Sequence, residues 1–330
     1  MTFTSTLADL AQRGHEFRHA PQPIARRTLA IDAPFDFRAQ AEPLILCNAN
    51  IHADRTQRID HRWLLERYGD VQVNTFIGNR LNRTLELMSL SQACERMTSG
   101  TQEVYARNVQ VPGPFTGLED NIVLPACIPT DRAAIARVWI GPRNSLQPFH
   151  KDTHNPLARV SGLLFQLHGS KEVLYVGERY ESYMKQKLGA QADYHYSNID
   201  LFDDSTITRE FLDEVQLGVG IIDTDEGIFL PENTWHHVRG LTPSVSMSFW
   251  WHDEFLADLI FRISNVDAGF PHRFFGEPQD RAATADEIES FGGVPALQRA
   301  AETLTASGRE LLAHFLPDAA AGRLREGVAA

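Results

Sequence analysis

Cysteine is scarce in this chain: its 330 residues hold only Cys47, Cys94 and Cys127. They lie far apart and form no CxxC pair, which excludes a disulfide framework and a zinc ribbon and fits a reducing, cytoplasmic setting. A long apolar run is missing too. The N-terminal MTFTSTLADLAQRGHEF lacks the uninterrupted hydrophobic stretch of a secretory signal or a membrane span, so no membrane partner is expected. Positive charge is in deficit, with 31 Lys+Arg against 43 Asp+Glu and a formal net charge of -12. That balance argues against a broad grip on nucleic acid, which needs clustered cations, and makes a basic substrate slightly the more attractive. No internal repeat, low-complexity tract or Gly/Ser linker separates independent domains. What is present is the composition of a folded protein, 43% hydrophobic and 22% charged with a mean hydropathy of -0.28. The length admits one large barrel-based domain with additions, or two ordinary domains.

Along the chain, Leu7, Leu10 and Ala11 have helical spacing, and a Pro-rich basic stretch around Pro21, Pro23, Arg26 and Arg27 reads as a surface-running entry segment. LILCNA from about residue 44 suggests a short strand, and HRWLLERYGD (61–70) and MSLSQACERM (88–97) suggest helices. Between about 134 and 251 the pattern changes to short β-branched and aromatic runs separated by turn signals: AIARVWIG, GLLFQLHG, KEVLYVG, GVGIIDT, GIFLP, TWHHV and SVSMSFWW. This spacing predicts an antiparallel sandwich or barrel, interrupted by a helix near 207–215. The Tyr-rich stretch 178–200 reads as a loop or lid, with an ordinary solvent loop as the alternative. After about 253, apolar residues recur at three and four positions, which predicts helices packed on the barrel or across a dimer.

Chemistry concentrates at Phe149-His150-Lys151-Asp152. Residues at i and i+2 of a strand share a face, so His150 and Asp152 can present an imidazole and a carboxylate together. Downstream, LPENTWHHVRG offers His236 and His237, only one of which can face the same interior. Two histidines and a carboxylate on one side of a metal leave its other positions open, the arrangement non-haem Fe(II) oxygenases require. His154 would share the face of 150 and 152 if the strand ran on, but Asn155-Pro156 marks a turn. Trp235, Trp250 and Trp251 read as wall and core residues.

The ordered segments GPRNSLQPFHKD, FQLHGSKEVLYV, DEGIFLPENTWHHV and SVSMSFWW, over roughly residues 40–255, resemble the JmjC-like cupin hydroxylases (cupin-8 type), a family that includes the asparaginyl hydroxylase of hypoxia signalling. The resemblance implies a mainly β fold with flanking helices. Its core would be a double-stranded β-helix (jelly-roll) over 134–253, with an N-terminal segment 1–133 packing on the barrel and C-terminal helices at 254–330. It makes His150, Asp152 and His236 the metal ligands, with His237 facing outward, and Lys171 the partner of the distal carboxylate of 2-oxoglutarate. Fe(II), 2-oxoglutarate and O2 are the implied cofactor and co-substrates, and the reaction is C–H hydroxylation with decarboxylation of 2-oxoglutarate to succinate, or demethylation where the carbon is an N-methyl group. The implied partner is an amino-acid side chain, free or in a peptide or protein, and a homodimer through the C-terminal helices follows by analogy.

Several positions depart from the family pattern. Gln147, with Ser145 nearby, stands where relatives carry a Thr or Ser that helps hold 2-oxoglutarate; Gly162 replaces an Asn; and Ser248 precedes the Phe-Trp pair. Two other readings keep the cupin: a zinc-dependent hydrolase or isomerase, since the same ligands suit Zn(II), and a binding module without catalysis.

Overall fold

A computed structural model describes residues 5–29, 32–78, 84–99, 104–111, 113–129, 131–155, 158–184, 196–267 and 279–327. The N-terminal half contributes α1 (Thr6–Gln12), β1 (Gln22–Pro23), β2 (Ala25–Thr28), β3 (Leu44–Cys47), α2 (His61–Tyr68), β4 (Gln72–Ile77), β5 (Thr84–Ser89), α3 (Leu90–Ser99) and β6 (Val104–Val111). The central region adds β7 (Ile135–Gly141), β8 (Leu146–His150), a ribbon of β9 (Thr153–Asn155) and β10 (Ala158–Arg159), β11 (Ser161–His168) and β12 (Lys171–Val176). Next come α4 (Glu181–Met184), α5 (Arg209–Glu214), β13 (Leu217–Ile222), β14 (Glu226–Leu230), β15 (Trp235–Gly240) and β16 (Ser244–Trp251). Helices α6 (Phe255–Asp267), α7 (Ala285–Ser290), α8 (Gly293–Ala301), α9 (Ala306–His314) and α10 (Asp318–Gly327) complete the chain.

The strands form two large sheets. One runs β1-β13-β12-β15-β8 and the other β2-β3-β14-β11-β16-β7-β6-β4-β5. Together they make the jelly-roll core. Period-two alternation sorts the side chains. In SVSMSFWW, Val245, Met247, Phe249 and Trp251 enter a large hydrophobic cluster on the outside of the longer sheet, where Leu163, Phe165 and Leu167 of β11 join them. The intervening Ser246, Ser248 and Trp250 therefore face the barrel interior, beside Gln166, Leu164 and Gly162 of β11. The N-terminal segment covers that outer cluster with Ile51, Trp63, Leu64, Leu90, Met97 and Phe115.

The shorter sheet is covered from its own outer side. Leu174 and Val176 of β12, Phe149 and Trp235 pack there with Leu10, Met184 and Phe211. Helix α1 is strapped across this face: the Thr6 N–H donates to the buried Glu172 carboxylate at 3.0 Å, and Arg239 Nη1 meets Asp9 Oδ2 at 2.6 Å. Between the sheets a smaller apolar plug of Ile24, Ile45, Val173, Ile222, Ile228 and Val238 fills part of the barrel.

Helices α6–α10 build a separate hydrophobic cluster around Leu256, Leu259, Leu297, Leu312 and Leu316. They are tied to the barrel where β7 begins. Phe261 packs on Ala133 and Ile135, and Asp258, ion-paired with Arg262 at 2.7 Å, accepts the Ala133 N–H at 2.8 Å.

Three sequence expectations change. The basic entry segment is not merely surface chain: β1 pairs in parallel with β13 and β2 with β3, so it edges both sheets. The helix expected at 88–97 starts at Leu90, because Met88 and Ser89 finish β5, where they pair with Val73 and Gln72. The tyrosine-rich stretch carries a short helix at Glu181–Met184, while 185–195, including Tyr194, lies outside the described residues and leaves the lid expectation open.

Candidate metal and co-substrate site

β8 and β15 are neighbours in the shorter sheet, and their register sets His236 directly opposite His150. This is how residues 86 apart in sequence meet, with ring centroids 4.1 Å apart. Asp152 follows His150 just beyond the end of β8. Donor atoms of His150, Asp152 and His236 all lie within 4.8 Å of one another, the only such His/Cys/Asp/Glu group among the described residues. His150 Nε2 is 3.6 Å from Asp152 Oδ1, and His236 Nε2 is 3.8 Å from Asp152 Oδ2.

The other ring nitrogens are committed. His150 Nδ1 has two carbonyl oxygens as partners, Pro148 at 2.9 Å and His236 at 3.1 Å, and His236 Nδ1 has the Thr234 carbonyl at 2.9 Å. Carbonyls only accept, so Nδ1 carries a proton on both rings and each Nε2 faces the shared space. Burial, reinforced by the neighbouring His236, holds His150 well below the ordinary histidine pKa, so its imidazole is neutral and fit to ligate. Asp152 Oδ2 accepts the Trp250 indole N–H at 3.0 Å, which fixes the carboxylate. Two imidazoles and one oriented carboxylate form a donor set that fits a divalent metal with open positions.

The three residues border a cavity whose wall also includes Tyr105, Trp139, Gln147, Lys171, Ser248 and Trp250. Lys171 is only 2% exposed, and no carboxylate among the described residues pairs with it. The Tyr105 ring lies 5.9 Å from its Nζ. Burial alone pushes its pKa down to about 7. An ammonium placed so, inside a cavity that a metal would share, is suited to a ligand that brings its own carboxylate.

The other positions singled out in the sequence fall differently. Gln147 lines the cavity, accepting from Arg107 Nη1 at 2.6 Å and donating to the Tyr196 hydroxyl at 2.7 Å. Ser248 lines it too, with Oγ held by the Trp139 indole N–H at 2.9 Å. Ser145 is not part of the lining; its hydroxyl is wedged between Gly141 and Gly240, where added Cβ atoms would lie 2.7 and 2.6 Å from it. His237 points to the other face of β15, but that face is covered. The ring is fully buried, between Phe149 and Phe202 at 5.6 and 5.9 Å. The side chain of His154 lies outside the described residues.

Trp250 is more than the wall residue the sequence suggested, since it orients the Asp152 carboxylate. Gly162 explains how: a Cβ there would lie 2.8 Å from Trp250 Cδ1 and 3.5 Å from Asp152 Oδ2, so the glycine makes room for the indole. Trp250→Phe is expected to lower metal affinity roughly 10- to 100-fold, the usual cost of losing a partner that orients a ligand. Gly162→Asn, which displaces the indole, should lower it in the same direction; manganese(II) titrations check both, and unchanged affinity in the pair would remove this role from Trp250.

Tyr105 and Arg107 of β6 escaped the sequence reading, because VYARNVQV carries no motif and only strand pairing to β7 brings it against the barrel. Tyr196, whose ring stacks 5.8 Å from His150, came from the stretch flagged for its tyrosines.

A sequence-family profile described as the Cupin-like domain matches residues 33–257. Among curated proteins, the chain is similar to the lysine-specific demethylase JMJ30 of Arabidopsis thaliana, at 24% identity over 66% of this chain and 52% of that protein. Jumonji C domain-containing protein 5 of Drosophila melanogaster is 24% identical over 64% of this chain and 54% of its own length. Lysine-specific demethylase 8 of Danio rerio is 28% identical over 50% and 41% respectively. The chain thus spans about half the length, or less, of these curated relatives.

Proposed function

The chain belongs to the Cupin-like domain family, and from that premise we propose that it is an Fe(II)- and 2-oxoglutarate-dependent oxygenase with the metal held by His150, Asp152 and His236. The observation that carries this reading is the enclosure of those three ligands and the unpaired Lys171 in one cavity. Iron(II), 2-oxoglutarate and O2 would supply the oxidising power for hydroxylation of a C–H bond, with succinate and CO2 as co-products.

The protein's own part is placement. The carbonyls of Pro148, His236 and Thr234 hold the imidazole tautomers, and the Trp250 indole holds the Asp152 carboxylate. Lys171 receives the distal carboxylate of 2-oxoglutarate, and Tyr105 beside it closes that end of the cavity. The aromatic wall of Trp139 and Trp250, in edge contact at 6.0 Å, keeps water from the reacting carbon.

The oxidised carbon is read as part of an amino-acid side chain, free or within a peptide or protein. Because two relatives are named lysine-specific demethylases, an N-methyl carbon is the second reading; formaldehyde release accompanies that outcome alone. The three free cysteines favour a cytoplasmic location. No helix among the described residues is long and apolar enough to cross a membrane. A homodimer through the C-terminal helices would double the scattering mass of the chain.

Anaerobic titration of the apo-protein with Fe(II) and 2-oxoglutarate tests the assignment. A weak visible charge-transfer band is expected, lost in His150→Ala and His236→Ala. Metal binding without that band, and without succinate formation in air, would favour the zinc enzyme or the binding module, although neither gives the buried Lys171 a partner.

A further inference from the structure

The interior of this barrel is locally basic although the chain as a whole is acidic. Two guanidinium groups, from neighbouring strands of the longer sheet, stand behind residues that line the cavity without lining it themselves. Arg107 of β6 donates from Nη1 to Gln147 Oε1 at 2.6 Å and to the Tyr196 hydroxyl at 3.0 Å, both uncharged, and its guanidinium lies 3.8 Å from the centre of the Phe76 ring. Arg137 of β7 is register-paired with Ser248, which lines the cavity, and lies two residues from Trp139, which lines it too. Strand alternation therefore puts Arg137 on the cavity-facing side. Its Nε and Nη1 are buried and have no hydrogen-bond partner among the described residues. Burial with no compensating carboxylate pushes its pKa down to about 10, which leaves it charged at neutral pH.

An enclosed guanidinium with unused donors costs stability, so its retention in a barrel wall calls for a ligand. On the oxygenase reading, on which this inference rests, a metal dication and Lys171 are balanced by Asp152 and the two carboxylates of 2-oxoglutarate. Among the described residues, Asp152 is the only carboxylate in the cavity lining. The charges of Arg107 and Arg137 are left over. Nor does Arg137 stand where the co-substrate's distal carboxylate would go. Lys171 is paired with Gly240, at the end of the barrel closed by the 142–145 turn. Arg137 is level with Ser248, one pleat from Ile135 and its partner Trp250, at the end where Asp152 sits.

We propose that Arg137, assisted by Arg107, receives a carboxylate of the primary substrate, so that the molecule oxidised is acidic: an aspartyl or glutamyl side chain or a small carboxylate of that shape. The net charge of the chain suggested the opposite, because a whole-molecule sum says nothing of the sign inside one cavity.

The test uses the full chain loaded with Fe(II) and 2-oxoglutarate under argon, titrated calorimetrically with the N-acetyl N-methylamides of glutamate, aspartate and lysine. The better acidic probe is expected to bind at least about tenfold more tightly than the lysine probe. Arg137→Gln and Arg137→Met are expected to weaken it roughly 10- to 100-fold, as loss of a charge-assisted hydrogen bond does. Both variants should leave 2-oxoglutarate affinity within about twofold and melt at or above the wild-type temperature, with Arg137→Lys restoring part of the acidic-probe affinity. Equal binding of acidic and basic probes, no binding of either acidic probe, or acidic-probe affinity unchanged in both variants would each overturn the proposal while 2-oxoglutarate binding preserved the oxygenase reading. Loss of 2-oxoglutarate affinity in the variants would reassign Arg137 to the co-substrate. Lower melting in both would mark it as structural. Failure of the wild type itself to bind 2-oxoglutarate would overturn the oxygenase reading and this inference together.

Discussion

Asp152→Ala is expected to lower Fe(II) or Mn(II) affinity by more than about a hundredfold and to abolish 2-oxoglutarate turnover. The bound must exceed the 10- to 100-fold typical of losing a residue that merely orients a ligand, because here the ligand itself goes. Two imidazoles would remain, with the only carboxylate that the described residues give the cavity lining removed from beside the dication. The deletion also leaves the Trp250 indole N–H without its acceptor. Asp152→Asn separates these effects: the amide oxygen can still accept from Trp250 but brings no charge, so affinity should fall nearly as far while near-ultraviolet circular dichroism of the indoles stays wild-type. Metal retained at wild-type affinity by both variants would sink the ligand assignment.

Lys171→Met is expected to weaken 2-oxoglutarate binding on the order of 10²- to 10³-fold, because truncating one partner of an enclosed charge pair costs about 2–5 kcal/mol. The same change should stabilise the apo-protein, and the pH dependence gives the sign. The folded pKa is about 7, against about 10.4 for an unfolded lysine. Between those values the unfolded chain binds a proton the folded one does not, so wild-type stability rises with pH across that window. Below about pH 7 both states are charged and the folded protein bears the full cost of an enclosed ammonium. The melting advantage of Lys171→Met should accordingly be largest at and below neutral pH and shrink towards pH 10. A variant that melts lower at pH 6.5, with co-substrate affinity intact, would make Lys171 a structural residue. Lys171→Arg is not a conservative control, since a planar guanidinium needs more room than this cavity gives an ammonium.

Much of the fold was legible because alternation is a local property. SVSMSFWW declares its two faces by itself, serines and Trp250 to one side, Val245, Met247 and Phe249 to the other, and the sheet places them so. The motif residues were legible for the same reason: His150 and Asp152 sit two apart. The role of Trp250 was not, since its partner Asp152 is 98 residues away in sequence. Strands β4–β6 were left unassigned in the sequence, and only the pairing of β4 with β5 and β6, and of β6 with β7, makes them part of the longer sheet.

The sequence by itself determined the residue types that chemistry needs, the order of the strands that carry them and the mainly β character of the core, since each depends on spacing within a few residues. Alternation alone left open which of two adjacent histidines enters the cavity; the resemblance named His236, and the register between β8 and β15 supplies the physical reason by setting it opposite His150. Only the tertiary structure decided that the Lys171 side chain and the Nε and Nη1 of Arg137 are buried, because desolvation is a property of everything packed around a side chain and leaves no trace in its neighbours along the chain.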